Sequence, residues 1–552
     1  MKKYTTWFSI LLFCAYVLPA AADGWKVNLD DNTVLMEHLK IGNPSEATTS
    51  AGGHAGHYIS TQIVSPFAVD VRDYGAGLST TNGTDNWTTA FNDAVASIAT
   101  KGEILVPKGM TFKLTSTIAI GTKHIKFSGG GTIRLDADVY AFSVAGGKLE
   151  LDGLNFTTAT SATGSIANAL SKSTGIFTHN TGTNLFSGFS NYWDNSIFTY
   201  NTIISAGAAG VGSYVIHFAG SNNKVYGNTF IGGRHSVYIS GGTETPGEAV
   251  ENNIVDKNII NGALVGAVAL YATSSQGAVR NNKVINNIVT DTLGGSPISI
   301  ATNSYNNTIS FNTINGFAEA IGIMIEGIAS TAAGQRPYNN TISNNTIISK
   351  VVDETTYGNI QVLNSYNNTI SGNNLIHPLT TTNALVYGIR LDSQNTPKDY
   401  NNRVMNNSFT MCKLLNSTID NTEIIANTFY NAPSQIPITI DSSGTAIVGP
   451  NVLGGGQIIT FTDGDATPSV GKGTMFKTAN TGATTITIFD DGYVGQEVTV
   501  LFADNNTTLG DAAASGYFRL QGAVDHTYTP NDIASFVKTG VTEWWEKTRS
   551  VN

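Results

Sequence analysis

Between Asn195 and Phe429 apolar residues recur at two fixed places in a nine-residue unit of the general form Asn-Asn-x-Val-x-x-Asn-x-Ile, which the chain repeats nine times. The copies begin at Asn195, Asn222, Asn252, Asn281, Asn306, Asn339, Asn367, Asn401 and Asn421, so the spacing runs from 20 to 34 residues. Repeats of that period indicate a solenoid. The fourth position is apolar in every copy, from Phe198 to Ile424, and so is the ninth, from Ile203 to Phe429. These two positions have opposite parity, so a straight strand would point one of them at solvent, and the chain must turn between them. The seventh position is always Asn. Asn tolerates the left-handed conformation such a corner needs, and its amide can bond to the next Asn stacked about 4.8 Å above. Asn201, Asn228, Asn258, Asn287, Asn312, Asn345, Asn373, Asn407 and Asn427 are therefore expected to form one ladder of left-handed corners.

Most units are preceded by a further alternating segment: YVIHFA, SVYIS, AVALYA, PISIAT, IGIMIEG, GNIQVLN and YGIRLD. Three short strands and three turns per coil make an all-β protein, a single-stranded right-handed parallel β-helix from about Glu103 to Pro450 with roughly a dozen coils. Ahead of it, Trp87, Ala90, Phe91, Ala94, Val95 and Ile98 follow helical periodicity. They predict an amphipathic helix from Asn86 to Thr100, ended by Gly102 and placed to close the open hydrophobic end of the solenoid. After Gly454, apolar and polar residues alternate between Gly, Asp and Asn turns, which predicts a small antiparallel β-module. The expected organisation is a signal peptide at 1–22, an extension or linker at 23–65, the β-helix at 66–453 and the C-terminal module at 454–552.

The signal peptide rests on Lys2 and Lys3, the apolar run from Trp7 to Leu18 and the small residues Ala20, Ala21 and Ala22, and it implies export to the cell surface or beyond. No later stretch is long and apolar enough to span a bilayer. Cys412 would be the one cysteine of the mature chain, which excludes an intrachain disulfide. Charged residues make up only 13%, and 40 acidic against 30 basic residues give a net charge of −10, which argues against nucleic acid as the partner. His54 and His57, in a Ser-, Thr-, Gly- and Ala-rich stretch with no nearby carboxylate, read as solvated side chains rather than metal ligands. Asp463, Asp465, Asp490 and Asp491 read as turn residues, with calcium binding as the alternative.

VRDYGA at 71–76, the helix that follows and ILVPKGMTFKL at 104–114 resemble the N-terminal signature of the pectate-lyase-like superfamily, which holds pectate lyases, rhamnogalacturonases and phage tailspike depolymerases. With the Asn-rich repeats the resemblance covers about residues 66–450. The chain departs from the family at Asp85-Asn86, where members usually carry an acidic pair. The C-terminal module is similar to those appended to β-helical phage tail proteins, which implies a homotrimer assembled through it. The resemblance implies fold and a carbohydrate-directed role; function must still be argued from the site.

Alternate residues of the segments preceding each repeat define two outward columns. One reads His217, Tyr238, Ala269, Ser299, Met324, Gln361 and Arg390, and the other Ala219, Ser240, Tyr271, Ala301, Glu326, Leu363 and Asp392. Aromatic and charged residues concentrated on one face, with the longest inserts beside it, suit a groove for a polysaccharide. Glu326 and Asp392 fall two coils apart, about 9.6 Å between backbones, near the separation of an inverting glycosidase. In that reading Glu326 is the acid and Asp392 the base, with His217, Arg234, His235, Tyr238, Tyr271, Gln361 and Arg390 contacting substrate. The plainer reading pairs Asp392 with Arg390. A lyase acting on a uronate polymer would draw on Arg390, Arg336, Arg234, His235, His217 and Tyr238, commonly with calcium, although no cluster of three carboxylates is evident. A non-catalytic glycan-binding adhesin or tail fibre is the third reading.

Overall fold

The structure, a computed structural model, describes residues 25–28 and 33–36, and 68–550 apart from short segments that include 243–246, 328–335, 350–357, 378–386, 393–399 and 431–437. The signal-peptide segment, His54 and His57 lie outside the described residues. So does much of the long inserts that follow Ser240, Glu326 and Asp392 beside the outward columns. The first 68 residues form a unit of their own, in which Trp25–Asn28 pairs antiparallel with Thr33–Met36.

From Lys101 onward the chain coils into a parallel β-helix with three sheets. The first is built from the middle of each repeat, as in Lys224–Tyr226 paired to Ile254–Asp256. The second is built from the end of each repeat, as in Thr229–Gly232 against Ile259–Asn261, and it runs to 13 strands, one per coil. The third is built from the segments before each repeat, such as Tyr214–Phe218, His235–Ser240 and Gly266–Tyr271. Because the chain turns between repeat positions four and nine, both point inward. All eighteen of these residues are fully buried, and they form one continuous core from Val71 to Leu453.

The Asn ladder is present, but its physical basis differs from the expectation. The left-handed residue in each corner is the one before the ladder Asn: Tyr200, Gly227, Lys257, Asn286, Phe311, Asn344, Gly372, Asn406 and Ala426 all have φ between 54° and 66°. The seventh-position Asn is buried instead. Its Oδ1 accepts both the backbone N–H and the side-chain amide of the Asn one coil earlier, as Asn228 does for Asn201 at 2.9 Å each. Its Nδ2 donates to a carbonyl of the coil before, as Asn228 does to Phe198 at 2.9 Å. Asn is required there because only a short side chain with both a donor and an acceptor satisfies the backbone of a buried corner. A second buried ladder, unanticipated, uses the second position of the repeat: Asn223, Asn253, Asn282, Asn307, Asn340, Asn368 and Asn402. There the left-handed residue is the first Asn of each unit, from Asn195 to Asn421.

The capping helix is shorter than expected, Thr88–Ser97, with Ile98 already extended. Its predicted apolar stripe is buried, and Trp87 meets Phe112 edge to face at 4.9 Å. Gly75 of the VRDYGA segment is needed because a Cβ there would lie 2.1 Å from the Trp87 ring. Gly102 does not end the helix. It sits in the strand Lys101–Leu105, where a Cβ would press on Ile98 at 2.9 Å.

Beyond Gly454 a second core gathers Phe461, Phe476, Phe489, Phe518, Phe536 and Trp544. The alternating strands are there, but their pairing is mixed rather than antiparallel throughout. Ile458–Thr460, Met475–Lys477 and Glu497–Leu501 run parallel, and antiparallel pairs follow through Ile533–Lys538 and Trp544–Ser550. Alternation of apolar residues specifies a half-buried strand and is silent about the direction of its neighbour.

Candidate functional site

Strand register in the third sheet aligns both predicted columns. His217, Tyr238, Ala269, Ser299, Met324, Gln361 and Arg390 are successive partners. So are Ser240, Tyr271, Ala301, Glu326, Leu363 and Asp392. The residues between them, such as Ile239, Leu270, Ile300, Ile325 and Val362, face the core. Over the middle coils lies a cleft of about 400 Å³ lined by His235, Val265, Gly295, Ser296, Ser299, Ile321, Met324, Glu326, Gln361 and Leu363. It brings together Glu326, Gln361 and His235 of the predicted site residues.

Glu326 is the chemically exposed group of this cleft. Its column neighbours are Ala301 and Leu363, and it has no hydrogen-bond or ion-pair partner among the described residues. Burial without a counter-charge pushes its pKa above the usual carboxylate range, because a low-dielectric surround disfavours the ionised form. Gln361, expected to face solvent, is instead only 6% exposed, and its Oε1 accepts no hydrogen bond among the described residues. Asp392 is bound to Arg390, Nη2 to Oδ2 at 2.9 Å.

Toward the N-terminal end of the groove the predicted aromatic and histidine residues cluster. Tyr214 and Tyr238 stack at 4.6 Å, His235 lies 5.3 Å from Tyr238, and Tyr238 is 6.2 Å from Tyr271. His217 sits beside Tyr214 and Tyr238 and shares a 2.8 Å hydrogen bond between Nε2 and Ser240 Oγ. Burial lowers the pKa of His217 to about 4. The same cause, reinforced by the charge of Arg234, lowers His235 to about 4. Both imidazoles are thus neutral at pH 7. Burial raises the Tyr238 phenol, which makes it a poor base.

Three residues of this face were not anticipated: Tyr214, Tyr387 and Lys413. Tyr214 and His235 are register partners, and so are Tyr387 and Lys413. Tyr214 and His217 point outward although they are three residues apart, because Val215 and Ile216 are both turned inward, so strict alternation assigned Tyr214 no place. The tyrosine before the Asn-Asn pair in four consecutive repeats was a visible signal for another column. Tyr305, Tyr338, Tyr366 and Tyr400 stack at 4.6, 5.1 and 5.3 Å. Their ring faces cover one another, and Arg280 covers the first at 5.9 Å, so this column stabilises the turn rather than presenting faces to a ligand. In the C-terminal module, Asp463 is bonded to Thr481 at 2.8 and 2.6 Å, and Asp465 to the Thr467 N–H at 2.9 Å. No group of three or more His, Cys, Asp or Glu converges among the described residues.

No protein-family model matches the chain, and no curated protein matches it. Among solved structures, it is similar to the tailspike protein of E. coli bacteriophage HK620 in complex with a pentasaccharide, at 14% identity over 69% of this chain and 80% of that one, with a TM-score of 0.49. A double mutant of the same tailspike, also in complex with a pentasaccharide, is similar at 14% identity over the same shares with a TM-score of 0.47.

Proposed function

We propose that the groove over the third sheet binds a polysaccharide and that Glu326 and Asp392 hydrolyse it by acid–base catalysis. The observation that carries this reading is Glu326 itself: a carboxyl group lining a cleft, half-buried between apolar neighbours, without a partner among the described residues and with a raised pKa. Such a group keeps its proton where an ordinary glutamate has lost it, and it can give that proton to a departing glycosidic oxygen. Asp392, held by Arg390, takes a proton from water as that water adds to the anomeric carbon. The C–O bond breaks as the new one forms, and the products are two shortened chains, one with a new reducing end. Two coils of separation leave room for the water.

Lyase chemistry finds less support. It needs a base beside the uronate carbon, and Tyr238, with its phenol pKa raised, is not one. His235 is neutral and remains the group on which a lyase would depend. The test compares reducing-sugar release with the absorbance of unsaturated uronate across a panel of polysaccharides. Reducing ends alone support hydrolysis, both signals indicate a lyase, and neither with retained binding indicates an adhesin. On a degraded polymer, Glu326→Gln is expected to lower turnover by at least about a hundredfold while binding survives. Full activity of both Glu326→Gln and Asp392→Asn sinks the assignment.

A further inference from the structure

The repeat turns its third and fifth positions outward on the first sheet and its eighth and tenth outward on the second, whereas the groove lies on the third. In the three coils from Asn306 to Ile376 the third, fifth and eighth positions hold only Thr, Ser and Asn, from Thr308 to Asn374. Short polar side chains of that kind suit a face that meets only water. The four coils before them differ. Ile197, Ile204, Ile231, Ile259 and Ile288 stand outward there, each between 37 and 49% exposed, and Tyr200 in the corner is 54% exposed. Register pairs Ile204 with Ile231 and Ile259 with Ile288, and Ile231 and Ile259 lie on adjoining strands. Single exposed apolar residues need no explanation, but a contiguous set of them does. Three lysines accompany the set. Lys224 and Lys283 flank Ile254 on the first sheet, and Lys257 occupies the corner. Lys224 and Lys257 converge on the Tyr226 ring at 4.7 and 5.5 Å, and none of the three lysines has a carboxylate partner among the described residues. Asp256, the one carboxylate at these outward positions, accepts from Asn286 Nδ2 at 2.9 Å. The face is therefore apolar and cationic at once, in a chain whose net charge is −10.

We propose that this face docks the protein on an anionic membrane surface, with the isoleucines and Tyr200 entering the headgroup region and the lysine ammonium groups meeting lipid phosphates. Apolar side chains gain by leaving water for the boundary of the acyl chains, and each lysine near an anionic surface adds an attraction that apolar burial alone lacks. Lysine suits the place because its stem lies along apolar surface while its ammonium stays wet. Tyrosine, apolar in its ring and polar at its tip, suits the same depth. A second copy of the chain fits less well. A two-fold contact through this face would set Lys224, Lys257 and Lys283 against their own counterparts, and like charges oppose such pairing. The docking does not rest on the groove reading. Because it uses the first and second sheets, it leaves the cleft on the third sheet uncovered.

Co-sedimentation of the full chain with vesicles of phosphatidylcholine, with and without phosphatidylglycerol, tests this. The wild type is expected to bind the phosphatidylglycerol vesicles more tightly, and less so as salt rises. Lys224→Gln, Lys257→Gln and Lys283→Gln together should weaken that binding by roughly a hundredfold. Ile259→Thr with Ile288→Thr should weaken it by about tenfold or more. All five side chains are exposed, and Thr313 and Thr346 already stand at the isoleucine position of later coils, so both variants should melt with the wild type. The apolar run from Trp7 to Leu18 would bind vesicles of either kind, and binding by it is the part that no substitution on this face lowers. Phosphatidylglycerol without effect on the wild type, or either variant binding as the wild type does, overturns the proposal. So does a wild-type dimer in light scattering that the isoleucine variant dissociates, because the face then belongs to a second copy.

Discussion

Asn312 and Phe311, side by side in one corner, separate two roles that were expected of a single residue. Asn312 is buried, and its side chain links Asn287, Val284, Ser310 and Asn345. Phe311 takes the left-handed conformation at φ 58° and is exposed. Asn312→Val should therefore cost about 3 kcal/mol or more, as several buried groups lose their partners at about 1–3 kcal/mol each. Phe311→Gly should be neutral or stabilising by about 1 kcal/mol, because glycine bears no left-handed penalty. Urea denaturation of both variants decides it, and the reverse order would mean that the conformation, not the amide, is what the corner needs. Glu326 and His217 predict opposite pH effects. Glu326 has a raised folded pKa, so its contribution to stability is full at acid pH and is lost as pH rises through the shifted value. Glu326→Gln should then melt higher than the wild type at pH 7, with the gap closing below the usual glutamate value of 4.5. His217 falls from 6.5 to about 4, so its contribution is present above pH 6.5 and is lost as pH drops toward 4. Replacing His217 with Asn should make the acid decline of the melting temperature shallower. An unchanged decline would show that the imidazole is not held neutral by the fold.

At the scale of elements, the parts legible from residue order are those set by local period. Apolar residues at repeat positions four and nine have one burial solution, so coil, sheet and core followed. The outward columns followed too, and they run through Glu326 and Asp392 as expected because each coil adds one strand in parallel register. What was not legible is what depends on departures from that period. Two successive inward residues, Val215 and Ile216, displaced Tyr214 from the alternating columns. The strand Lys413–Asn416 precedes an atypical repeat with Thr422 at its second position, and so Lys413 went unread. The helix end at Ser97 was missed because Ile98, although it completes the apolar stripe, serves the core from an extended backbone. The helix still has one clear duty, which is to cover the first coil: Phe91 lies 5.9 Å from Phe112 and 6.1 Å from Phe127. Phe91→Ala should cost about 3–5 kcal/mol, visible as a lower melting temperature. A loss below about 1 kcal/mol would mean that the helix decorates the end without closing it, since that is within the range of a surface change.

For the whole molecule, a solenoid has two ends, and each coil finds its hydrogen bonds only in its neighbours. The Asn ladder reaches its last member at Asn451, whose Oδ1 accepts from Asn427 at 2.9 and 3.1 Å. The C-terminal module meets this end through Tyr493, which packs against the β-helix core and whose phenol is pushed up to about 12 by burial. Gly495 approaches so closely that a Cβ there would lie 2.4 Å from the Val448 carbonyl. The module therefore acts as the second cap, whatever else it does, and the last coil depends on it. A chain ending at Leu453 should melt lower than the full protein and form large particles in light scattering, because it exposes the edge of the last coil and the core beneath it. Truncation is a blunt change, so Tyr493→Ala gives the sharper test. It should cost about 3 kcal/mol and split a shared melting transition into two, the β-helix and the module unfolding apart once their contact is lost. If Tyr493→Ala leaves a single transition at an unchanged temperature, the module hangs from the β-helix as a separate domain and the last coil closes itself.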